Sequence, residues 1–144
     1  MKFACVVVLS LLSAAVPALA EKKIIQPKEF PAGGPLSAGV LADGTLYVSG
    51  QLGREPKTQK VPADFEAEVR QVLDNIGIIL REAKMNYGDV VSVQIYMTDM
   101  SLFARMNAVY TTYFKTDRPS RTTVGVVKLA APEAHIEITA TAHR

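Results

Sequence analysis

The sequence lacks tryptophan and has a single cysteine, Cys5, among its 144 residues. Cys5 lies in an N-terminal segment that we expect to be removed, so the mature chain has no thiol. This excludes a disulfide framework, a cysteine nucleophile and a cysteine-ligated metal. Absence of thiols suits an oxidising compartment without requiring one. With only two histidines, His135 and His143, which we expect to be solvated, we predict no metal site and no cofactor.

The sequence also lacks a strong charge of either sign. Sixteen lysines and arginines stand against 14 aspartates and glutamates, a formal net charge of +2, which falls to +1 once Lys2 is removed with the N-terminal segment. A nucleic-acid-binding domain usually carries a clear basic surplus or a basic stripe. We therefore expect no nucleic-acid partner. Neither a phosphate-binding glycine loop nor a serine-nucleophile motif is present.

The first twenty residues have the layout of an export signal. Lys2 precedes an apolar run over residues 3–19, which ends in small residues spaced as Ala18-Leu19-Ala20. This pattern predicts a signal peptide over residues 1–20 and a periplasmic or secreted product that is not membrane-bound after cleavage. The alternative is an uncleaved anchor, but the run is short for the roughly 20 residues that span a bilayer, and Pro17 interrupts it.

The mature chain suffices for one domain, which we predict over residues 35–144 after an extended, proline-containing arm over residues 21–34. Hydrophobic periodicity predicts two strands, a helix, a strand, a second helix and two final strands. The predicted strands are residues 36–41, 45–51, 89–98, 121–127 and 135–143, and the two predicted helices begin at Asp64 and Ser101. This β-β-α-β-α-β-β order predicts a two-layer α+β fold, with two helices on one face of a mixed sheet.

The helix from Asp64 has the strongest pattern. Apolar residues recur at three- and four-residue steps from Phe65 to Ala83, while Glu66 and Glu68 fall outside that stripe. Asp64 is the predicted N-cap. One apolar stripe indicates one sheet on which this helix packs.

The last two strands each offer one ionisable residue on the face that we predict to be away from the core. In the first, Arg121 and Thr123 alternate with Val124, and in the second Glu137 alternates with Ile136. Arg121 and Glu137 could form a surface ion pair, which contributes about 0–1 kcal/mol when exposed.

These strands resemble the C-terminal signature of the RidA family, also called YjgF/YER057c/UK114. The matching pieces are Arg121-Thr122-Thr123-Val124-Gly125-Val126, Leu129 and Ile136-Glu137-Ile138. Further similar pieces, in the same order as in the family, are Leu46 to Gln51, the helix containing Asn75, Asp89 to Val91, Tyr96 to Asp99 and Asn107 to Tyr110. The resemblance spans roughly residues 35–143.

The resemblance implies a chorismate-mutase-like fold, a homotrimer with clefts between subunits, and hydrolysis of enamines and imines such as 2-aminoacrylate and 2-iminopropanoate to 2-keto acids and ammonia. It implies that Arg121 binds the substrate carboxylate and that Glu137 positions or activates the attacking water. The pocket positions that it implies are Thr123, Ser49, Gly50 and Asn107. Taken alone, Ser49 and Asn107 are more typical of turn or capping residues.

Two features depart from the family. Its common N-terminal motif, G-P-Y-S-Q, reads Gly34-Pro35-Leu36-Ser37-Ala38 here, so a tyrosine hydroxyl is missing from the implied pocket. The predicted signal peptide is the second departure, because aminoacrylate arises mainly in the cytoplasm. A non-catalytic carboxylate-binding or chaperone-like protein is therefore the alternative function. Ribonuclease activity, also attributed to this family, is less favoured by the charge balance.

Simple hairpin geometry would separate Arg121 from Glu137. A hairpin centred near Pro132 sets Arg121 opposite His143 and Glu137 opposite Val127, about 20 Å apart along the strands. Either the two strands are not neighbours, or the two side chains of one site come from different subunits.

Overall fold

The computed structural model describes residues 21–31 and 33–144, so the predicted signal peptide over residues 1–20 lies outside the described residues. Six strands form one mixed sheet in the order β1-β2-β3-β6-β4-β5. The elements are β1 (Lys22–Ile25), β2 (Gly39–Ala42), β3 (Thr45–Leu52), α1 (Phe65–Glu82), β4 (Val90–Met97), α2 (Phe103–Tyr113), β5 (Ser120–Gly125) and β6 (Ile136–His143). Only the β4–β5 pair is parallel among these strands. Within the described ranges, no helix has both the length and the apolar character to cross a bilayer.

The two helices and the sheet confirm the predicted α+β class. Helix α1 packs on β3 and β6 and also contacts α2. Its side chains and those of the inner sheet face form one buried cluster. Asp64 caps α1 as predicted, because its carboxylate accepts a hydrogen bond of 2.8 Å from the Ala67 N–H. The helix ends at Glu82, and Lys84 then adopts a positive φ of 59° that turns the chain.

The N-terminal part is more ordered than the predicted arm. Lys22–Ile25 forms β1, which pairs with β2, and Ile25 is buried in the core. Four residues are too few to show a period in the sequence, so the strand was not predicted. Strand β2 covers Gly39–Ala42 rather than residues 36–41. Helix α2 begins at Phe103 rather than at the predicted Ser101, since Met100–Leu102 forms a 3₁₀ turn that the Asp99 carboxylate caps.

Glu68 is fully buried, so its predicted position on the outer side of α1 is wrong. One carboxylate oxygen accepts hydrogen bonds from the His135 and Ile136 backbone N–H groups at 2.7 and 3.3 Å, and the other lies 2.8 Å from His135 Nδ1. The prediction that His135 is solvated is therefore only partly correct, since its ring is half-exposed but also contacts the Glu68 carboxylate. Glu68 fixes the first residues of β6, and thus the strand that carries Glu137.

Candidate functional site

Strand β4 separates β5 from β6, which answers the geometric question raised by the sequence. Val93 of β4 is level with Arg121 of β5, and Tyr96 of β4 is level with Glu137 of β6. Because the strands that carry them are not neighbours, Arg121 and Glu137 cannot pair across a hairpin. Arg121 and Glu137 are offset by three residues along the strands and by two strand spacings across the sheet, about 10 Å in each direction.

Arg121 and Thr123 lie on the helix-covered face of the sheet, so the predicted orientation of this strand is wrong. Arg121 is level with Val93 and Thr123 is level with Ile95, and both of these β4 residues are in the core. Val124, which lies on the opposite face of β5, is 40% exposed. The physical reason is that β5 is an edge strand and α2 covers its inner face. The apolar side chain of Val124 is left on the outer face of a single chain.

The Arg121 guanidinium lies against aromatic rings of α2. Its Cζ atom is 4.6 Å from the centre of the Tyr110 ring and 5.7 Å from that of Phe103. Cation–π contacts at these distances stabilise and orient a guanidinium. Asn107 and Arg118 line the same cavity, of about 360 Å³. The predicted pocket residues Arg121 and Asn107 are thus brought together, and the rings of Tyr110 and Phe103 lie beside Arg121 without having been predicted as site residues.

Two hydroxyls near Arg121 are buried without a hydrogen-bond partner among the described residues, those of Tyr110 and Thr123. Burial raises the pKa of the Tyr110 phenol, and the positive charges of Arg121 and Arg118 oppose that rise. The phenol is therefore neutral at physiological pH. The cavity beside Arg121 thus combines two cations, Arg121 and Arg118, with the uncharged side chain of Asn107, an arrangement suited to a small anion.

Glu137 opens onto the other face of the sheet. It lines a cleft of about 410 Å³ together with Gly50, Tyr96, Lys128 and Thr139. The predicted strand orientation is confirmed here, since Ile136 and Ile138 on either side of Glu137 are buried in the core. Lys128 and Tyr96 add a cation and a phenol that the sequence analysis did not assign to the site.

Gly50 allows the Glu137 carboxylate to lie directly on the β3 backbone. A Cβ atom at this position would come within 2.0 Å of Glu137 Oε1. The β3–β6 register shifts between Val48 and Gln51, so Gly50 lies in an irregular part of the strand. Gly50, which the family resemblance implies as a pocket position, thus lies against the Glu137 carboxylate.

Ser49 has a hydrogen bond that serves the fold. Its hydroxyl donates to the Ser37 carbonyl oxygen at 2.7 Å and so joins β3 to the segment before β2. That segment carries Leu36, whose side chain is 66% exposed. Within residues 21–31 and 33–144, no group of three or more histidine, cysteine, aspartate or glutamate residues could hold a metal ion.

The candidate site residues of one chain therefore form two separate groups, which we call half-sites. The cation half-site contains Arg121 of β5 and Asn107 of α2, with Thr123 two residues further along β5, and the carboxylate half-site contains Glu137 and Gly50 on the open face. A substrate of a few carbon atoms could not contact both within one chain.

Known proteins similar to this chain share most of its length. The family model described as Endoribonuclease L-PSP matches residues 26–144. A 2-iminobutanoate/2-iminopropanoate deaminase from Bos taurus is 40% identical over 110 residues, covering 75% of this chain and 80% of that protein. A RutC family protein from Aquifex aeolicus is 39% identical over 122 residues, covering 83% of this chain and 98% of that protein.

Solved structures agree with the fold. The YjgF gene product of E. coli superposes with a TM-score of 0.79 at 37% identity, covering 85% of this chain and 98% of that chain. E. coli TdcF, solved with bound serine, gives a TM-score of 0.80 at 33% identity, covering 85% of this chain and 98% of that chain. The matched span, the identities and the common fold show that this chain belongs to the Endoribonuclease L-PSP family, which is the RidA/YjgF family that its sequence motifs resemble.

Proposed function

We propose that this protein is a hydrolytic deaminase of reactive enamines and imines, of the 2-aminoacrylate and 2-iminopropanoate type, which yields 2-keto acids and ammonia. The observation that carries the proposal is the pair of half-sites around Arg121 and Glu137, the residues that match the family's functional arginine and glutamate. Relatives with about 40% identity that are named imine deaminases support it.

We propose that the complete site forms between two subunits of a homotrimer. The half-sites of one chain lie on different faces of the sheet, so a cyclic arrangement would bring the cation half-site of one subunit to the carboxylate half-site of the next. The outer face also exposes Tyr47 and Val124, at 55% and 40%, which a neighbouring subunit would cover.

The proposed chemistry divides between the two half-sites. Arg121 binds the substrate carboxylate through paired N–H donors, with Thr123 and Asn107 shaping the cleft, whereas Ser49 holds β3 to the segment before β2. Glu137 accepts a proton from water, whose oxygen adds to the C=N carbon. Proton transfer to nitrogen and collapse of the carbinolamine then expel ammonia and form the keto acid. An enamine first takes a proton from water at carbon and loses a proton from nitrogen to become the imine.

The test is the rate of 2-keto acid formation when 2-iminopropanoate is generated by an amino-acid oxidase, with and without the purified protein. Acceleration above the buffer rate supports the proposal. If no acceleration occurs and no carboxylate binds at Arg121, the proposal is wrong.

Gly50→Ala should lower kcat for 2-iminopropanoate by about tenfold or more without unfolding the protein, because the added methyl group displaces the Glu137 carboxylate. The matched control is Gly88→Ala, which lies outside both half-sites and whose added Cβ meets only Asn86 Oδ1, at 3.0 Å. Steady-state kinetics and urea unfolding of both variants provide the measurement. Unchanged kcat in Gly50→Ala would contradict the assigned role of the Glu137–Gly50 contact.

Tyr110→Leu should raise KM about three- to tenfold, because removing the ring frees the Arg121 guanidinium. Tyr110→Phe should leave KM within about twofold, since it keeps the ring and removes only a buried hydroxyl that has no partner among the described residues. The control is Phe65→Leu, which removes the similar contact to Arg105 away from the site. Equal KM changes in Tyr110→Leu and Phe65→Leu would mean that the Tyr110 ring does not position Arg121.

A second candidate function is non-catalytic binding of small carboxylates. Leu36, which replaces the family tyrosine, and the serine bound in E. coli TdcF favour it. Carboxylate binding that survives Glu137→Gln, with no turnover by the wild-type protein, would support this function instead. Ribonuclease activity, which the family description names, is opposed by the near-neutral charge, and RNA cleavage that disappears on further purification would dispose of it.

We also propose that the protein is exported, from the sequence of residues 1–20. N-terminal sequencing of the protein recovered from its native host tests this directly. A chain that starts at Glu21 supports export, and a chain that retains residues 1–20 contradicts cleavage.

A further inference from the structure

A second depression adjoins the Glu137 cleft and has an apolar wall. It has a volume of about 270 Å³, and its apolar lining includes Phe30, Leu36, Ala38 and Leu52. Leu36 extends into solvent at 66% exposure, so the fold does not need it as a core residue. A large apolar side chain at the mouth of a cavity is suited to contact with an apolar ligand group.

The polar side chains around this depression are already occupied. Gln26, Gln51 and Asn75 donate their side-chain amide hydrogens to backbone carbonyl oxygens, and the Arg54 guanidinium donates to Glu133. Few free donors are therefore left for a polar ligand. A polar group placed here would lose hydrogen bonds to water without full replacement, whereas an alkyl or aryl group loses nothing.

The volume is sufficient for a sizeable side chain. An engineered cavity of about 150 Å³ holds benzene. The depression is larger, so it could admit a branched aliphatic chain or an aromatic ring. A methyl group would leave most of it unfilled.

Gly50 connects the depression to the reacting group. It lines both the depression and the Glu137 cleft, and the Glu137 carboxylate lies against its backbone. A substrate whose imine carbon lies at Glu137 would thus direct its side chain across Gly50 toward Leu36.

We infer that this depression is the subsite for the substrate's side chain, and that Leu36 makes the enzyme prefer imines of branched-chain and aromatic amino acids over 2-iminopropanoate. This inference rests on the proposed deaminase function and names its substrate class. Burial of the larger side chain should increase kcat/KM for the leucine-derived imine about tenfold or more above that for the alanine-derived imine.

The experiment compares imines generated by an amino-acid oxidase from alanine, leucine and phenylalanine. The purified protein is assayed beside Leu36→Ser and the control Val91→Ser, which also removes a half-exposed apolar side chain but lies outside the depression. Leu36→Ser should reduce the preference for the larger imines at least threefold. Val91→Ser should leave this preference unchanged.

Separate outcomes distinguish this inference from the proposed function. Equal kcat/KM for all three imines, or a preference unaffected by Leu36→Ser, would overturn the subsite while the deaminase stands. If no imine is hydrolysed, the function fails, and calorimetry with pyruvate and 4-methyl-2-oxopentanoate then tests the subsite by itself. Tighter binding of the branched acid that Leu36→Ser weakens would support the subsite, and equal binding of the two acids would overturn it.

Discussion

Arg121→Ala is expected to lower kcat/KM for 2-iminopropanoate by about 100-fold or more and to leave the protein folded. Two charge-assisted hydrogen bonds to a carboxylate, each contributing about 1.5–3 kcal/mol, account for an effect of this size. A surface arginine in a weak ion pair would lose almost nothing on the same change. The measurement is steady-state kinetics, with calorimetry of pyruvate as a direct measure of carboxylate binding.

The matched control for Arg121→Ala is Arg105→Ala. Arg105 is also an arginine beside an aromatic ring, Phe65, and it pairs with Glu66 on α1. It lies outside both half-sites, so its removal should leave kcat/KM within about twofold. A similar loss of activity in both variants would indicate a general effect of removing arginine near α2 and would contradict the assignment of Arg121.

Glu137→Gln is expected to lower kcat by about 10²- to 10⁴-fold, the usual contribution of a general base. Glutamine has nearly the same shape and can lie on Gly50, but it cannot accept a proton from water. Pyruvate affinity should remain within about threefold of the wild-type value, because the carboxylate binds at Arg121. Kinetics and calorimetry on one preparation separate these two effects.

Glu133→Gln is the control for Glu137→Gln. Glu133 is a partly exposed carboxylate on the loop before β6, where it pairs with Arg54. Hydrogen bonds and the nearby Arg54 charge lower the pKa of Glu133, so it is ionised at the assay pH. Removing this charge should leave kcat unchanged. Full activity in Glu137→Gln would show that another group activates the water.

The amino-acid sequence predicted the elements whose signals are local. Helix α1 follows from a regular apolar stripe with Asp64 at its start, and β6 follows from alternation with Ile136 and Ile138 in the core. Both predictions are confirmed because each buried face is decided by its own sequence. The family motifs named Arg121 and Glu137 as candidate site residues without structural information, and their functional roles stay predictions.

Predictions that depended on distant neighbours were wrong or incomplete. Alternation in β5 defines two faces but not which one is covered, so the apolar Val124 was assigned to the core instead of Arg121. The separation of β5 from β6 by β4 is a non-local feature of the sheet. The burial of Glu68 depends on His135, 67 residues away, and nothing in the local pattern of α1 indicates that partner.

The most direct test of a site shared between subunits is the recovery of activity in a mixture of the two inactive variants. Arg121→Ala and Glu137→Gln are unfolded together at equal concentrations, refolded, and assayed for 2-keto acid formation from 2-iminopropanoate. In randomly mixed cyclic trimers, roughly one quarter of the sites would combine an intact Arg121 with an intact Glu137. We predict recovery of about that fraction of the wild-type rate. No recovery, when wild-type protein regains full activity after the same treatment, would contradict a site built from two chains.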